Sequence, residues 1–403
     1  MWEESVNINE IKEIRVKTTV FLGVGAIGRM DFIAGELARK GVKSVLCVTG
    51  GGSYKRTGAW DHVQKACAAH GIAITLYDRV TPNPTTGSIN EAAALGRQNS
   101  AQAVICIGGG SPIDAGKSAA ILLANPGRTA EELYTGAFAP DTAAPVVVIN
   151  LTHGTGSEAN RFAVATITER NYKPAIAFDC IYPWYSIDDP ALMASLPPRQ
   201  TRFVSIDAVN HSIEAATSRA ANPLSILLAG ECIRLVARWL PAAEENPGDL
   251  TARYFLAYAA LLAGVSFDNG LLHYTHALEH PLSAVRPELS HGLGLAMIVP
   301  AVVELIYPAV APVLSQLLQP IVPGLKGLPM EAHAAAAGLE QWLASVGMSE
   351  KLADEGFTGD DIPRLVDLAQ HTPSLGLLLS VAPVEATPER IETIYRVSMK
   401  RMD

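Results

Sequence analysis

Asp207 and several histidines in the second half of the chain have the residue types and spacing of a divalent-metal site. Asp207 and His211 are four residues apart in SIDAVNHSIE, which places both side chains on one face of a helix. A second helical pattern, GLLHYTHALEHPL, contains His273, His276 and His280 at spacings of three and four residues, again on one face. The two patterns predict two helices that direct ligands toward one centre.

His291 follows in SHGLG, just before another helical run, and adds a further imidazole to this group. One carboxylate and several imidazoles, with no thiolate among them, favour Fe(II), Zn(II), Mn(II) or Co(II) over Cu(I). One alternative is that the pair of Asp207 and His211 arises by chance. Another is that His273 and His280 only pack beside the ligands.

The stretch GGGSPIDAGKS, residues 108–118, follows the strand-like run AVICI and so lies where ligands bind in open α/β sheets. We expect Ser111 to cap the following helix, Pro112 to lie in its first turn, and backbone N–H groups there to bind a phosphate. ATP is a weaker interpretation, because its loop needs a glycine where Ser111 stands and Asp114 would face the triphosphate. The pattern favours the pyrophosphate of a dinucleotide, with a plain strand-to-helix turn as the alternative.

A second glycine-rich stretch, FLGVGAIG, has Gly23, Gly25 and Gly28 at the spacing of a dinucleotide-binding fingerprint. That fingerprint expects an acidic residue about 20 positions later, on the next strand. The next strand-like run ends at Gly50 without an acid. A tight turn into a helix explains this stretch equally well.

The secondary-structure pattern that must position these residues changes along the chain. Short β-branched runs (SVLCVTG, IAITLYD, AVICIGGG, PVVVIN) alternate with helical patterns such as HVQKACAAHG and PIDAGKSAAILLA, which predicts a parallel sheet covered by helices over residues 1–192. Long helical stretches rich in Ala and Leu follow over residues 193–403. A dinucleotide loop in an α/β domain and an open metal site in an all-α domain predict hydride transfer in the cleft between them.

Composition excludes several other classes of protein. The 403 residues are 49% hydrophobic and 18% charged, which is typical of a globular protein, and a net charge of -9 argues against nucleic acid as a partner. No run approaches 18 uninterrupted apolar residues, and the charged N-terminal stretch MWEESVNINEIKEIRVK lacks a secretory core. Cys47 and Cys106 lie in apolar runs as buried thiols, which suits a cytoplasmic protein.

These motifs together resemble the iron-containing (group III) alcohol dehydrogenases over nearly the whole chain. The matching stretches are NPTT at 83–86, GGGSPIDAGK at 108–117, THGTGSE at 152–158, DAVNHSIE at 207–214, HALEHPL at 276–282 and His291-Gly292. The resemblance implies the dehydroquinate synthase-like fold, with an α/β N-terminal dinucleotide-binding domain and an all-α C-terminal metal-binding domain. It also implies a homodimer.

The same resemblance assigns roles to individual residues. It implies that the metal, Fe(II) or Zn(II), is bound by Asp207, His211, His276 and His291. His280 would lie near the nicotinamide and the metal and relay a proton. The residues implied to contact the cofactor are Asn83, Gly109, Gly110, Ser111, Asp114, Thr152, Thr155 and Lys173.

Three positions depart from the family pattern. Leu151 removes a hydroxyl group that often lies near the cofactor, and the position of His273 is commonly glycine. The distance along the chain from His276 to His291 is one residue longer than in typical members, so the loop PLSAVRPELS is expected to differ. His153 has no assigned role.

The stretch CVTGGGSYKRTG bears on the choice of nicotinamide cofactor, because NAD-preferring relatives usually carry an Asp where Gly50 stands. Without that carboxylate, a 2′-phosphate meets no like-charge repulsion. Backbone N–H groups, a hydroxyl and positive charge are available to it instead. These groups belong to Gly51, Gly52, Ser53 and either Lys55 or Arg56. The stretch predicts NADP(H) over NAD(H), with a flexible turn and a solvated basic pair as the alternative.

We therefore expect a metal-dependent alcohol dehydrogenase or aldehyde reductase that acts on a small primary alcohol or aldehyde. Aromatic candidates for its substrate pocket are Trp60, Trp184 and Phe267. The alternatives are a zinc enzyme of the glycerol dehydrogenase type, a lyase related to dehydroquinate synthase, and an inactive metal- or nucleotide-binding regulator. The complete ligand set argues against the inactive regulator, and the scarcity of basic residues in the motifs argues against the lyase.

Overall fold

Eight strands lie in the first half of the chain, in the computed structural model that describes residues 13–402. Residues 1–12, which begin the charged stretch that was predicted to carry no secretory core, lie outside the described residues. The strands are β1 (Thr19–Leu22), β2 (Ser44–Gly50), β3 (Ala73–Val80), β4 (Ala103–Gly108), β5 (Val146–Asn150), β6 (Phe162–Val164), β7 (Ala175–Ala177) and β8 (Tyr185–Asp188).

Six of these strands form one parallel sheet in the order β1-β8-β5-β4-β2-β3, and β6 pairs antiparallel with β7. β4 and β5 are buried along their whole length, because helices cover both faces of a parallel sheet. Val104 and Val148 pack into the core on one face, whereas Ile105 and Val147 pack into the core on the other. The carboxyl ends of these central strands carry the loops that concern function.

The helices of the first half lie between consecutive strands, except for the last, which follows β8. They are α1 (Met30–Arg39), α2 (Ser53–Arg56), α3 (Ala59–Ala69), α4 (Thr86–Gln98), α5 (Gly110–Ala124), α6 (Ala130–Tyr134) and α7 (Pro190–Met193). Side chains of α1 and α3 share one core with the sheet, and those of α4 and α5 share the other. Short 3-10 turns cover Ala26–Arg29, Thr168–Arg170, Asp179–Ile181 and Pro329–Glu331.

Helices alone make up the second half within the described residues. They are α8 (Pro198–Thr217), α9 (Pro223–Glu245), α10 (Leu250–Gly270), α11 (Tyr274–Val285), α12 (His291–Leu318), α13 (Ala332–Ser345), α14 (Ile362–His371), α15 (Leu375–Ser380) and α16 (Pro388–Val397). They share one apolar core. α8 packs against α9, α10 and α12, so polar side chains on it are held in the interior of the domain.

Two helices, α10 and α12, are long and apolar enough to cross a membrane when judged by length and composition alone. Their most apolar windows have mean hydropathies of 1.4 and 2.0. The same windows are 61% and 72% buried inside the structure. Such burial is typical of core helices in a folded domain.

The predicted organisation of an α/β half followed by a helical half is confirmed. SVLCVTG forms β2, and the helical pattern after GGG forms α5. Cys47 and Cys106 are buried free thiols, and burial raises the pKa of each. The boundary predicted between residues 192 and 193 falls within α7 and stays a prediction.

A pair of buried acids lies where the sheet meets the helical domain. Asp188 ends β8 and accepts a hydrogen bond from the Asn150 amide at 3.0 Å, while both carboxylate oxygens of Glu158 lack a hydrogen-bond partner. Burial raises the pKa of Glu158 to about 7, and burial together with the charge of Glu158 raises the pKa of Asp188. The folded protein therefore favours a protonated Glu158 more than the unfolded chain does.

We predict that Glu158→Gln makes stability less dependent on pH. A carboxyl group whose pKa is raised by folding stabilises the fold at low pH, and this contribution is lost as pH rises from about 4.5 to about 7. Thermal unfolding of wild type and variant should be measured at pH 5 and pH 8. Between these two pH values, the free energy of unfolding of the variant should rise by roughly 1–3 kcal/mol relative to that of the wild type. The exposed Glu169→Gln serves as control. An equal difference between Glu158→Gln and wild type at both pH values would contradict the prediction.

Candidate active site

The four predicted metal ligands come together from three helices. Asp207 and His211 lie one turn apart on α8, His276 lies on α11, and His291 is the first residue of α12. Asp207 Oδ1 is 3.5 Å from His211 Nε2, 3.5 Å from His276 Nε2 and 3.8 Å from His291 Nε2. The same ring nitrogen of each imidazole thus points at one carboxylate oxygen.

The residues of this cluster fit a divalent cation. Asp207 Oδ1 and His276 Nε2 are buried without hydrogen-bond partners, and such atoms destabilise a fold unless a ligand satisfies them. One carboxylate and three imidazoles form a donor set that suits Fe(II) or Zn(II). Asp207, His276 and His291 have their ligand atoms within 4.8 Å of one another.

Electrostatics favour the ligand forms of Asp207 and His211. Burial opposes ionisation of Asp207, yet the surrounding imidazoles, above all His211, hold the pKa of Asp207 well below its usual range. Burial lowers the pKa of His211 to about 3, which keeps its ring neutral as a metal ligand must be. Burial also opposes a charge on His276, but Glu214 and Asp207 raise its pKa to about 9. The same negative potential would attract a metal cation.

Two glutamates that the sequence analysis did not assign hold the ligand imidazoles. Glu214 Oε2 contacts His276 Nδ1, and Glu279 Oε2 contacts His291 Nδ1. A carboxylate on Nδ1 orients the ring and leaves Nε2 for the metal. The signal was available in the sequence, because each glutamate lies three residues after a ligand histidine.

His280 lies one turn after His276 on α11 and is buried, with its ring centre 5.7 Å from that of His291. Its Nδ1 has no hydrogen-bond partner. Burial, reinforced by the charge of Lys173, places the pKa of His280 well below its ordinary value. The ring is therefore neutral, and its surroundings oppose a lasting positive charge on it. Its relay role stays a prediction.

The prediction that His273 shares a helical face with His276 and His280 is wrong. α10 ends at Gly270, Leu271 takes φ 62°, and α11 begins only at Tyr274, so His273 precedes the helix. His273 Nε2 lies 2.9 Å from the Thr217 hydroxyl, and Nδ1 accepts the Tyr274 N–H at 2.7 Å. His273 therefore caps α11 and supports α8, and it is not a metal ligand.

His153 connects the loop after β5 to the helical domain. Its Nε2 accepts a hydrogen bond from the Arg253 guanidinium at 2.9 Å, and the same guanidinium nitrogen donates to the Thr201 hydroxyl at 2.7 Å. Burial and the charge of Arg253 lower the pKa of His153 to about 3, so the ring stays neutral. The role of His153 visible in the structure is to join the two domains.

The GGGS loop lies at the carboxyl end of β4, where α5 begins at Gly110. The helix starts earlier than predicted, so Gly109 and not Ser111 occupies the N-cap position, and no side chain caps it. A Cβ atom on Gly109 would lie 2.7 Å from Thr152 Cγ2, and one on Gly110 would lie 2.6 Å from Thr155 Cγ2. These close contacts bring both predicted threonines to a helix start whose N–H groups suit a phosphate.

The Lys117 side chain excludes the ATP interpretation of this loop. Lys117 Nζ is buried and donates to Ser157 Oγ at 3.0 Å, Asn160 O at 2.9 Å and Phe162 O at 2.8 Å. All of its hydrogen-bond capacity is directed into the protein, away from any phosphate at the helix start.

Three further predicted cofactor residues make contacts within the protein. Asp114 accepts hydrogen bonds from the Ser157 hydroxyl and the Val164 N–H. The Asn83 amide donates to Pro287 O at 3.0 Å, and Lys173 lies beside the metal cluster. Their contacts with a cofactor stay predictions.

Their positions in the fold decide between the remaining candidates, which are the second glycine-rich stretch and the aromatic residues proposed for the substrate pocket. Gly23, Gly25 and Gly28 form a turn after the edge strand β1, and a Cβ atom on any of them would meet open space, so no close approach requires glycine there. Trp184 precedes β8 at the amino end of the strand, away from the ligand-binding loops. Of the predicted aromatic candidates, Phe267 lies at the site, because its ring stacks on that of His211 with the ring centres 4.5 Å apart.

Two family models match the chain. One, described as iron-containing alcohol dehydrogenase, matches residues 18–190, and the C-terminal model of the Fe-containing alcohol dehydrogenase family matches residues 203–399. The chain belongs to the iron-containing alcohol dehydrogenase family. It is therefore an oxidoreductase of alcohols and aldehydes, and the family implies iron and a nicotinamide cofactor of the NAD(H) type.

Individual relatives agree with this assignment. The chain is 58% identical to the long-chain primary alcohol dehydrogenase AdhA of Thermoanaerobacter ethanolicus, over 99% of this chain and 100% of that protein. It is 32% identical to the 1,3-propanediol dehydrogenase of Klebsiella pneumoniae, over 87% of this chain and 90% of that protein.

Solved structures confirm the predicted group III alcohol dehydrogenase fold. The NADH-dependent butanol dehydrogenase A of Thermotoga maritima superposes with a TM-score of 0.89 at 26% identity, covering 97% of this chain and 99% of that one. A 1,3-propanediol oxidoreductase superposes with a TM-score of 0.87 at 30% identity, covering 96% and 100%.

We predict that His276→Ala and His273→Ala separate metal binding from stability. Loss of the ligand in His276→Ala should weaken metal binding on the order of 100-fold or more, since even changes in supporting residues cost 10–100-fold. His273→Ala should keep the wild-type metal content but lose about 1–2 kcal/mol of stability with its hydrogen bonds. Elemental analysis after dialysis and thermal unfolding measure the two effects. Equal loss of metal in both variants would show that His273 belongs to the metal site.

Proposed function

We propose that the chain interconverts primary alcohols and aldehydes with NADP(H), using iron bound by Asp207, His211, His276 and His291. The observation that carries this proposal is the convergence of three Nε2 atoms on Asp207 Oδ1. Iron, preferred here over zinc, would supply a Lewis acid for the substrate oxygen, and the nicotinamide would supply or accept the hydride.

The residues of the chain then have separate tasks. Glu214 and Glu279 orient the imidazoles that they contact. His280, with an unpaired Nδ1 beside the ligand His291, passes on the proton of the reacting hydroxyl group without retaining it, because burial disfavours its charged form. The N–H groups at the start of α5, beside Thr152 and Thr155, bind the cofactor's diphosphate.

An apolar wall next to the metal ligands favours substrates with an alkyl chain. The Phe267 ring stacks on His211 and lies 5.3 Å from the ring of Phe162. The relative that is 58% identical is named as a long-chain primary alcohol dehydrogenase. We therefore extend the expected substrates from small alcohols to longer primary ones.

The loop after β2 supports a preference for NADP(H). A Cβ atom on Gly50 would lie 2.9 Å from Val80 O, so an aspartate cannot enter there without a backbone shift. The Arg56 guanidinium lies 3.2 Å from the Cβ position of Gly52 and so covers the glycine turn. The Asp78 carboxylate on the neighbouring β3 accepts a hydrogen bond from the Tyr54 hydroxyl. Positive charge at this turn would bind a 2′-phosphate.

We also propose a cytoplasmic homodimer. All five cysteines lie within the described residues and are free, as suits a reducing compartment. The dimer follows the family expectation, and the elution volume of the purified protein tests it.

Arg56→Ala should change the choice of cofactor. Removing a charge-assisted contact to the 2′-phosphate should lower kcat/KM for NADPH roughly 10–100-fold and leave that for NADH nearly unchanged. Initial rates at 340 nm with both cofactors, using butanal and Fe(II)-loaded protein, measure this, with the exposed Arg170→Ala as control. Comparable kcat/KM for NADH and NADPH in the wild type would refute the preference itself.

Alcohol chain length provides a separate test of the aromatic wall. Each CH₂ group that contacts it should add about 0.8 kcal/mol, or about a fourfold rise in kcat/KM, from ethanol toward hexanol. Phe162→Ala should flatten this series, whereas Trp184→Ala at the far end of the sheet should not. A series that is flat in the wild type would exclude an alkyl-binding wall.

A further inference from the structure

Lys173, expected from the resemblance to contact the cofactor, lies beside the cluster of metal-ligand side chains. It lies near the ring nitrogen of His291 that faces away from Asp207. Along the chain it lies between the Thr168–Arg170 turn and β7, and its side chain is buried. Its Nζ donates to Ser283 Oγ at 2.7 Å and lies 3.4 Å from Glu279 Oε2 and 3.5 Å from His291 Nδ1. A residue of the α/β domain thus reaches the support of a metal ligand in the helical domain.

The space around Glu279 is built for its carboxylate. Glu279 is fully buried on α11, and its Oε2 contacts His291 Nδ1. A Cβ atom on Gly294, in the first turn of α12, would lie 2.7 Å from Glu279 Cγ and 2.9 Å from its Oε1. Only a glycine at position 294 leaves room for this side chain in its present place.

The other supporting carboxylate is held differently. Glu214 contacts His276 Nδ1 and accepts N–H groups of His273 at 3.2 Å and Thr275 at 2.5 Å. The partners of Glu214 apart from the imidazoles are therefore neutral backbone groups, whereas Glu279 also meets an ammonium group. The two pairs offer an internal comparison within one metal site.

Charge balance gives Lys173 a reason to be there. Asp207, Glu214 and Glu279 are buried carboxylates with a combined charge of three negative units, and a divalent cation supplies only two positive units. The ammonium group of Lys173 supplies the third. Net charge buried away from water is costly, so the loaded site is balanced only with Lys173 included.

We propose that Lys173 is a positioning residue that limits how strongly Glu279 polarises His291 and so sets the electron density at the metal. A carboxylate on Nδ1 makes an imidazole a more basic ligand, and an ammonium group on that carboxylate weakens the effect. Without Lys173 the site carries an extra negative charge. The cation is then bound more tightly but withdraws less electron density from the substrate oxygen.

Lys173→Met tests this proposal because its effect on metal affinity should be opposite to that of removing a supporting carboxylate. We expect the variant to bind Zn²⁺ about tenfold more tightly, because a unit charge removed within several Å of the ion acts through a partly screened interior. Competition with a chromophoric zinc chelator, without cofactor or substrate, measures this. Glu279→Gln and Glu214→Gln should instead weaken Zn²⁺ binding by about 10–100-fold.

Enzyme activity is the second measurement, and this test depends on the proposed function being correct. With Fe(II)-loaded protein, kcat of Lys173→Met should fall about tenfold with little change in KM for NADPH, and Lys173→Arg should restore both kcat and metal affinity toward wild type. The Co(II)-loaded variant should keep its visible absorption with shifted bands, which shows that the ligand set is intact. If Lys173→Met does not fold, Lys173→Gln, which also lacks the charge, should show the tighter binding.

Two results would overturn the proposal. Weaker Zn²⁺ binding in Lys173→Met, parallel to Glu279→Gln, would make Lys173 a merely structural support. Unchanged Zn²⁺ affinity with a raised KM for NADPH would make it the cofactor contact that the family resemblance implies. Because the affinity measurement needs no substrate, tighter Zn²⁺ binding would stand even if the enzyme proved inactive toward alcohols.

Discussion

A carboxylate buried among three imidazoles is the interaction on which the helical domain depends. Asp207 can be held there only because α8 is surrounded by α9, α10 and α12, and because His276 lies in the first turn of α11 and His291 begins α12. The arrangement concentrates negative potential at one point in the interior. Such a point is unfavourable in an apolar core unless a cation binds. The helix packing that buries Asp207 therefore also creates the requirement for a bound cation.

One segment of the α/β half connects the glycine-rich loop after β4 to the cluster of metal-ligand side chains. Residues 152–162 touch the glycines of the GGGS loop through Thr152 and Thr155 and bind Lys117 through polar groups. The same segment binds Arg253 of α10 through His153. It ends at Phe162, whose ring packs near that of Phe267 on His211. A single stretch therefore packs against both the start of α5 and the Phe267 ring beside His211.

Much of this could be predicted from the sequence, because periodicity and spacing are local properties. The strands and the glycine-rich turn after β4 follow from β-branched runs ending in glycine, and the Asp207 and His211 pair follows from helical spacing. His273 could not be placed, because its face depends on a helix break at Leu271 that spacing does not reveal. The partners of Lys117 and Lys173 were hidden for a different reason. A long side chain is directed by tertiary contacts that lie over 40 and 100 residues away.

The supporting carboxylates show how the helices are coupled to one another. Glu214 on α8 holds the imidazole of α11, and Glu279 on α11 holds the imidazole of α12. α8 and α11 thus each supply a ligand of their own and orient the ligand of another helix, α11 and α12 respectively. A shift of any one helix would turn an imidazole supported by another, so the metal geometry reports on the packing of all three. Lys173 carries this chain of contacts across the domain junction, which ties the position of the α/β half to the electronic state of the site.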